Sequence, residues 1–308
     1  MSADNSYVLV TAACNEGDFI ENTIRSVIAQ EHRPARWVIV SDNSTDDTDA
    51  IVARYAATHS FIRLHRLTED HPRNFAAQVN AINAGIAQLQ GTEYAFIGNL
   101  DADISFAPSY FRQVLDKFRQ DASLGLGGGF IHEKSADGIF RSRRTNSLSS
   151  VAHAVQLFRR ECFKAVGGAY LPLPYGGPDT FAETTARKKG WRVAPFPDLA
   201  VLHHRPTGSA GGLLRGWFRQ GKMDYSLGTL PLFEVFRILR RVQSKPYVFG
   251  AGARLAGFLS CYCRGEHRAV PEEFMTYLRQ EQTSRLQSLF RSKRGKDLSR
   301  QNTAGRCP

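Results

Sequence analysis

Tyr94-Ala95-Phe96-Ile97-Gly98-Asn99-Leu100-Asp101-Ala102-Asp103 opens as an apolar run and closes on two carboxylates separated by one residue. An apolar run this short, followed by polar residues, has the length of a buried strand rather than a helix, so the carboxylates fall at the strand's carboxyl end. Three stretches upstream read in the same way. Tyr7–Ala12 runs into Cys14-Asn15-Glu16, Val38–Val40 into Ser41-Asp42-Asn43-Ser44, and Ile62–Leu67 is a third apolar run. Between them Phe19, Ile20, Ile24, Val27 and Ile28 recur at helical spacing, as do Phe75, Val79, Ile82, Ile86 and Leu89. Strand and helix in alternation predict an α/β fold, with a mainly parallel sheet flanked by helices. Ligands of such sheets bind beyond the strands' carboxyl ends, where loops border a crevice and helix N-termini offer unpaired N–H groups to anions. Three polar clusters at three strand ends therefore predict one site.

Downstream the pattern is less regular. Phe111–Phe118 is amphipathic, Gly125–Gly129 is a glycine-dense strand or turn, and Asp137–Ser150 is a flexible polar stretch. Ala152–Val166 and Thr180–Lys189 read as helices, and Trp191–Leu202 as two further short strands. After Arg205 the pattern changes to basic amphipathic helices. The expected division is thus a first domain over 1–205, a basic helical region over 206–290 and a disordered basic end over 291–308.

With 42% hydrophobic and 22% charged residues, the composition excludes wholesale disorder and a membrane-embedded bundle. The charge is unevenly spread. Residues 1–204 hold 21 Lys+Arg against 22 Asp+Glu, whereas residues 205–308 hold 19 against 7, a net of +12. Such asymmetry points to a polyanionic partner, nucleic acid or anionic lipid, or to plain solvated basic helices. The five cysteines, Cys14, Cys162, Cys261, Cys263 and Cys307, show no recurring paired spacing and are expected to be reduced thiols of a cytoplasmic protein. Met1–Ser6 has neither a basic nor an apolar leader segment, so secretion is not expected.

Four segments in order carry a family resemblance: Thr11-Ala12-Ala13-Cys14-Asn15-Glu16, then Val38–Thr48 with Asp42, Asn43, Asp46 and Asp47, then Asn80-Ala81-Ile82-Asn83-Ala84-Gly85, then Asp101-Ala102-Asp103. They resemble the motifs of family 2 glycosyltransferases with a GT-A fold, a Rossmann-like nucleotide-diphospho-sugar transferase sheet, over about Tyr7–His204. The resemblance implies a donor site made by Asn15, Glu16, Asp42, Asn80, Asp101, Ala102 and Asp103. In it Asp103 would be the direct metal ligand, Asp101 would reach the ribose or the metal through water, and Asp42 would meet the nucleoside. The chemistry agrees: a nucleotide diphosphate must be neutralised before a sugar C1–O bond can break, and Mg²⁺ or Mn²⁺ on oxygen ligands does this. Taken alone, Asp101-Ala102-Asp103 would also suit a surface turn. Asp42–Thr48 doubles as a helix cap, with Ser44 or Thr45 expected to cap while Asp42 binds.

Inversion at an anomeric carbon needs one general base for the acceptor hydroxyl. Tyr175-Gly176-Gly177-Pro178-Asp179-Thr180, with Gly190-Trp191 downstream, resembles the family's glutamate–aspartate motif and makes Asp179 the base. Pro178 stands where the family has glutamate. Glu183, one turn on, is the reserve base, and Asp179 would otherwise be a helix cap. Gly167 and Gly168 resemble the acceptor-side loop, and His203, preferred over His204, would complete the metal sphere. Arg219-Gln220-Gly221-Lys222-Met223 sits where processive members carry Gln-x-x-Arg-Trp, and the missing Arg-Trp implies single addition.

Pro231–Val242 pairs an apolar face with Arg237, Arg240 and Arg241, and Tyr247–Cys263 is a second apolar stretch containing Arg254. Each is shorter than the roughly 20 residues that span a bilayer, so lying in the headgroup plane or packing on the first domain are the two readings. The expected activity is non-processive transfer from a nucleotide-diphosphate sugar, UDP by default, to a saccharide or lipid-linked saccharide in cell-surface glycan synthesis. The expected location is cytoplasmic, on the inner face of the plasma membrane when docked. A nucleotidyltransferase would carry a glycine-rich basic loop after the first strand, and a nucleic-acid-binding protein would leave Asp101, Asp103 and Asp179 without purpose, so no nucleic acid partner is expected.

Overall fold

Val8, Leu9 and Val10 are all fully buried, as a strand covered on both faces requires. The computed structural model describes residues 5–68, 75–135, 137–143, 145–205, 212–241 and 247–304. Its elements run β1 (Tyr7–Ala13), α1 (Ile20–Ile28), β2 (Arg36–Asp42), α2 (Thr48–Thr58), β3 (Ile62–Leu67), α3 (Phe75–Ala87), β4 (Phe96–Asn99), β5 (Ile104–Phe106), α4 (Tyr110–Gln120), β6 (Leu124–Lys134) and β7 (Phe140–Ser142). They continue with β8 (Leu157–Arg159), α5 (Arg160–Ala165), α6 (Pro178–Lys188), β9 (Arg192–His203), α7 (Leu213–Ser226), α8 (Pro231–Arg241), α9 (Tyr247–Cys263) and α10 (Glu272–Ala304).

The sheet order is β3-β2-β1-β4-β8-β6-β9-β5, with β7 added to β6. Strands β3, β2, β1 and β4 are mutually parallel. Beyond β4 the sheet turns mixed: β8 is antiparallel to β4 and β6, β9 is parallel to β6, and β5 returns antiparallel to β9. Alternation along β1 and β2 sends Leu9, Trp37 and Ile39 into one apolar layer with Ile24, Phe111 and Phe118 of α1 and α4. Val8, Val10, Val38 and Val40 face a second layer with Val79 and Ile82 of α3. Gly85 lets α3 lie this close, since a Cβ there would come 2.5 Å from Val10 Cγ1 and 2.8 Å from Val40 Cγ2.

Three expectations are corrected. Ala152–Val166 is not one helix: a 3-10 turn at His153–Val155 leads into β8 and then α5. Its apolar residues meet strand neighbours on both sides, and those ladders outweigh the local helical spacing. Trp191–Leu202 is not two strands, because β9 is continuous, with a register shift against β6 between Phe196 and Ala200. Within Asp137–Ser150, expected to be flexible, β7 pairs with β6.

The chain divides into two units, Met1–Ser209 and Ala210–Pro308. In the second, α7 and α9 meet at Gly221 and Gly257, where a Cβ would stand 1.9 Å from the Arg254 and Phe218 carbonyl oxygens respectively. Arg254 is buried in this unit rather than part of a basic face. Its guanidinium pairs with Glu234 at 2.5 Å, with Asp224, and with Gln220 Oε1 at 2.8 Å, and Arg237 meets Asp224 at 2.8 Å. Helix α10 runs to Ala304, across most of the segment expected to be disordered. That segment is rich in straight-chain helix formers and holds no proline before Pro308. Cys307, Val242, residues 305–308 and the side chains of Arg240 and Arg241 lie outside the described residues. The other four cysteines are free thiols. Among the described residues no helix is long and apolar enough to cross a membrane.

Candidate active site

The carboxylate turn between β4 and β5 is held from beneath. Thr23 Oγ1 on α1 sits 2.8 Å from the Ala102 carbonyl and 2.7 Å from that of Ile104, and accepts the Ile104 N–H at 3.1 Å. A buried hydroxyl satisfied three ways fixes the backbone through Asp101, Ala102 and Asp103. Pairing of β5 with the end of β9 sets Ile104 opposite His203, which brings His203 Nε2 to 3.2 Å from Asp103 Oδ1. Asp101, Asp103 and His203 offer ligand atoms that all lie within 4.8 Å of one another. Two carboxylates and an imidazole suit Mg²⁺ or Mn²⁺, so the residues present fit such an ion. Burial disfavours the His203 imidazolium, but hydrogen bonding and charge from Asp103 outweigh it and hold its pKa above the usual value. His204 turns elsewhere, its Nε2 2.8 Å from Ser105 Oγ.

Burial also pushes the Asp101 carboxyl up, opposed by His153 and reinforced by Asp103. His153 Nδ1 is 4.0 Å from Asp101 Oδ1, and Gln78 Nε2 of α3 is 3.5 Å from the same oxygen. The cleft above this turn measures about 380 Å³ and includes Glu16, Asp42, Gln78, Asp101, Asp103 and Arg205 in its wall. Glu16 pairs with Arg205, whose Nε is 3.7 Å from Asp103 Oδ2. Burial raises the Glu16 carboxyl to about 7, against the pull of Arg205.

Asn15 and Asn80 do not line that cleft. Asn15 has φ of 55° and braces one strand end to the next, its Oδ1 accepting the Thr45 N–H at 2.8 Å. Asn80 is exposed on α3, where Ala77, Gln78 and Ala81 face the cleft instead. The expected cap of α2 is corrected as well. Ser44 Oγ accepts the Asn15 N–H at 3.2 Å, while Asp46 Oδ1 accepts the Thr48 N–H at 3.0 Å and Oδ2 that of Gly17 at 2.9 Å. Asp46 can bridge both loops because its two oxygens accept from different segments, Thr48 and Gly17.

Asp179 stands in the first turn of α6, behind Gly177 at φ 91° and Pro178. Proline is favoured there because its missing N–H would have had no partner. Glu183, the reserve base, is buried. Its Oε1 accepts the Val151 N–H at 2.6 Å, and burial followed by the charge of Asp179 lifts its carboxyl to about 8. Gln156 joins it to Tyr170, accepting the phenol at 2.7 Å. Tyr170 is clamped to α3 by Asn83 through bonds of 2.8 and 2.9 Å, stacks edge-on against His153, and feels the charges of Asp179, Glu183 and Asp101. Tyr170 and His153 thus link the carboxylate turn to α6. Gly167 and Gly168, both at positive φ, terminate α5 through bonds to Lys164 and Phe163. Sequence reading missed Thr23, Gln78, His153, Tyr170 and Arg205, and only the Asn83-bearing motif hinted at this network.

Sheet order and a carboxylate turn at the sheet's carboxyl edge define a GT-A fold. The chain belongs to glycosyl transferase family 2, whose profile matches residues 8–170. It is similar to a poly-beta-1,6-N-acetyl-D-glucosamine synthase of Staphylococcus aureus, 31% identical over 47% of this chain and 33% of that protein. The synthase of the same name from Staphylococcus epidermidis is 26% identical over 51% of this chain and 40% of that protein. The chain therefore matches between a third and two fifths of the length of these curated relatives. Among solved structures it resembles a mannosyltransferase from Pyrobaculum calidifontis in complex with GDP-Man and Mn²⁺, with a TM-score of 0.54 at 15% identity, covering 90% of this chain and 84% of that one. It also resembles S. aureus TarS in complex with UDP-GlcNAc, with a TM-score of 0.52 at 14% identity, covering 89% and 78%.

Proposed function

We propose that the protein is an inverting, metal-dependent glycosyltransferase that adds a single sugar from a nucleotide-diphosphate donor, UDP-linked by preference, to a saccharide or lipid-linked saccharide. The observation that carries this reading is the convergence of Asp101, Asp103 and His203 at the mouth of a cleft that also holds Asp42. Mg²⁺ or Mn²⁺ held by Asp103, Asp101 and His203 would supply the positive charge that a departing nucleoside diphosphate requires. Asp42 and Glu16 would meet the nucleoside, and Arg205, by pairing with Glu16, would keep that wall of the cleft from repelling phosphate. Asp179 would remove the acceptor proton. Glu183 is less suited to that task, since its carboxyl is committed to the Val151 N–H. UDP is favoured because TarS is seen with UDP-GlcNAc and the matched synthases make an N-acetylglucosamine polymer.

The purified chain, offered UDP, GDP and dTDP sugars in turn, should release nucleotide fastest from a UDP-sugar with Mn²⁺ or Mg²⁺. Chelation should stop release and added metal restore it. Release from no donor, with either ion, would refute the reading.

A further inference from the structure

The helices of the Ala210–Pro308 unit bury an ion cluster and leave two apolar stripes exposed. Their charged cluster of Arg254, Asp224, Glu234 and Arg237 lies inside, with Glu234 and Arg254 each 1% exposed. Part of their large apolar surface lies outside, while Ile238 and Phe258 pack within. On α8, Leu232, Val235 and Leu239 recur at i, i+3 and i+7 and are exposed, Leu232 at 70%. On α9, Val248, Leu255, Leu259 and Tyr262 form a second stripe at helical spacing, with Phe249 beside it at 78% exposure. The other side of α9, with Gly250, Arg254, Gly257, Phe258 and Cys261, is buried. Two adjoining helices thus each turn an apolar stripe outward, which isolated surface leucines would not do.

We propose that these outward faces of α8 and α9 form a docking surface for anionic phospholipid, entering the bilayer to the depth of the headgroup–acyl boundary. Charge selects this occupant. Residues 212–264 contain nine Lys+Arg and two carboxylates, Asp224 and Glu234. Both carboxylates are buried and paired with arginines, so neither puts negative charge beside the outward stripes. Arg264 is exposed at the end of α9, and the next acid, Glu266, lies near Lys222 and Arg264. Anionic headgroups complement such a surface at about 1 kcal/mol per basic residue, whereas a second copy would bring like charges together. Neither helix is long enough to span, so the helices lie in the plane of the interface. The inference rests on this unit by itself and holds whichever sugar is transferred.

Flotation of the full chain with vesicles tests it. Binding should be roughly tenfold stronger on phosphatidylcholine mixed with phosphatidylglycerol than on phosphatidylcholine alone, and should weaken but not vanish in high salt. The triple substitution Leu239→Gln, Leu255→Gln, Leu259→Gln should lower it roughly tenfold, with donor hydrolysis unchanged. If that variant fails to fold, the single change Phe249→Trp serves instead: brominated lipid should quench its fluorescence beyond the quenching of the native chain. Equal recovery on both vesicle types, or no added quenching, overturns the proposal. A salt-resistant dimer that the triple variant dissolves also overturns it, and assigns the face to a second copy.

Discussion

Asp103 and Asp179 are both acidic but sit in different company, and this separates what their loss should do. Asp103 lies against His203 and Arg205 at the cleft mouth, so Asp103→Ala should weaken donor binding in Mn²⁺ by at least about tenfold, or roughly 1.4 kcal/mol, when measured by calorimetry. Asp179 stands apart in the first turn of α6, so Asp179→Asn should lower turnover by about 10²- to 10⁴-fold with donor affinity unchanged. The same loss of affinity in both variants would reject this division. Glu183 makes a third case. Its carboxyl, raised from 4.5 to about 8, keeps in the fold a proton that the unfolded chain has already released. Its stabilising contribution is therefore complete below about 4.5 and is lost as pH rises through about 8. Glu183→Gln should match the native melting temperature at pH 5 and exceed it progressively toward pH 8, and parallel curves would show that another group titrates. The carboxylates were legible in the sequence because they end apolar runs. Thr23, whose hydroxyl fixes the turn from 79 residues away, was not, since nothing in its own surroundings marks it.

Helices and strands show how far periodicity reaches. Short apolar runs located β1 to β4, and helical spacing located α1 and α3, because these elements send apolar residues into the two layers beside the sheet. Spacing failed at β8, three residues long, where pairing to β4 and β6 decides the conformation. Glycines mark a different kind of contact. Gly257 lies where any side chain would strike the Phe218 backbone, which has no rotamer with which to give way. Gly257→Ala should cost about 1–3 kcal/mol through separation of α7 from α9, seen as an early unfolding step in calorimetry while donor binding is retained. Unchanged melting would mean that the two helices shift apart freely. The neighbouring segment Arg219–Met223 belongs to the same contact, with Gln220 accepting from Arg254 and Gly221 against its carbonyl.

For the molecule as a whole, that use of Arg219–Met223 bears on product length. With Gln220 committed inside the helical unit and Arg-Trp missing, extension of an acceptor should stop after one sugar, and a ladder of longer products by mass spectrometry would overturn single addition. Charge balance and the change of pattern after Arg205 were visible in the amino-acid order, as were the family motifs and the carboxylate turn. All of these are local: they depend on neighbours a few residues apart, whose spacing a strand or helix converts directly into a face or an end. Only the tertiary structure decided that His203 meets Asp103 while His204 turns to Ser105, that Glu183 is buried on a backbone amide, and that Arg254 is an internal ion rather than a surface one. Those outcomes depend on which distant segments pack together, because burial and pairing, rather than residue type, determine whether a charged side chain binds a ligand, supports a neighbour or faces water.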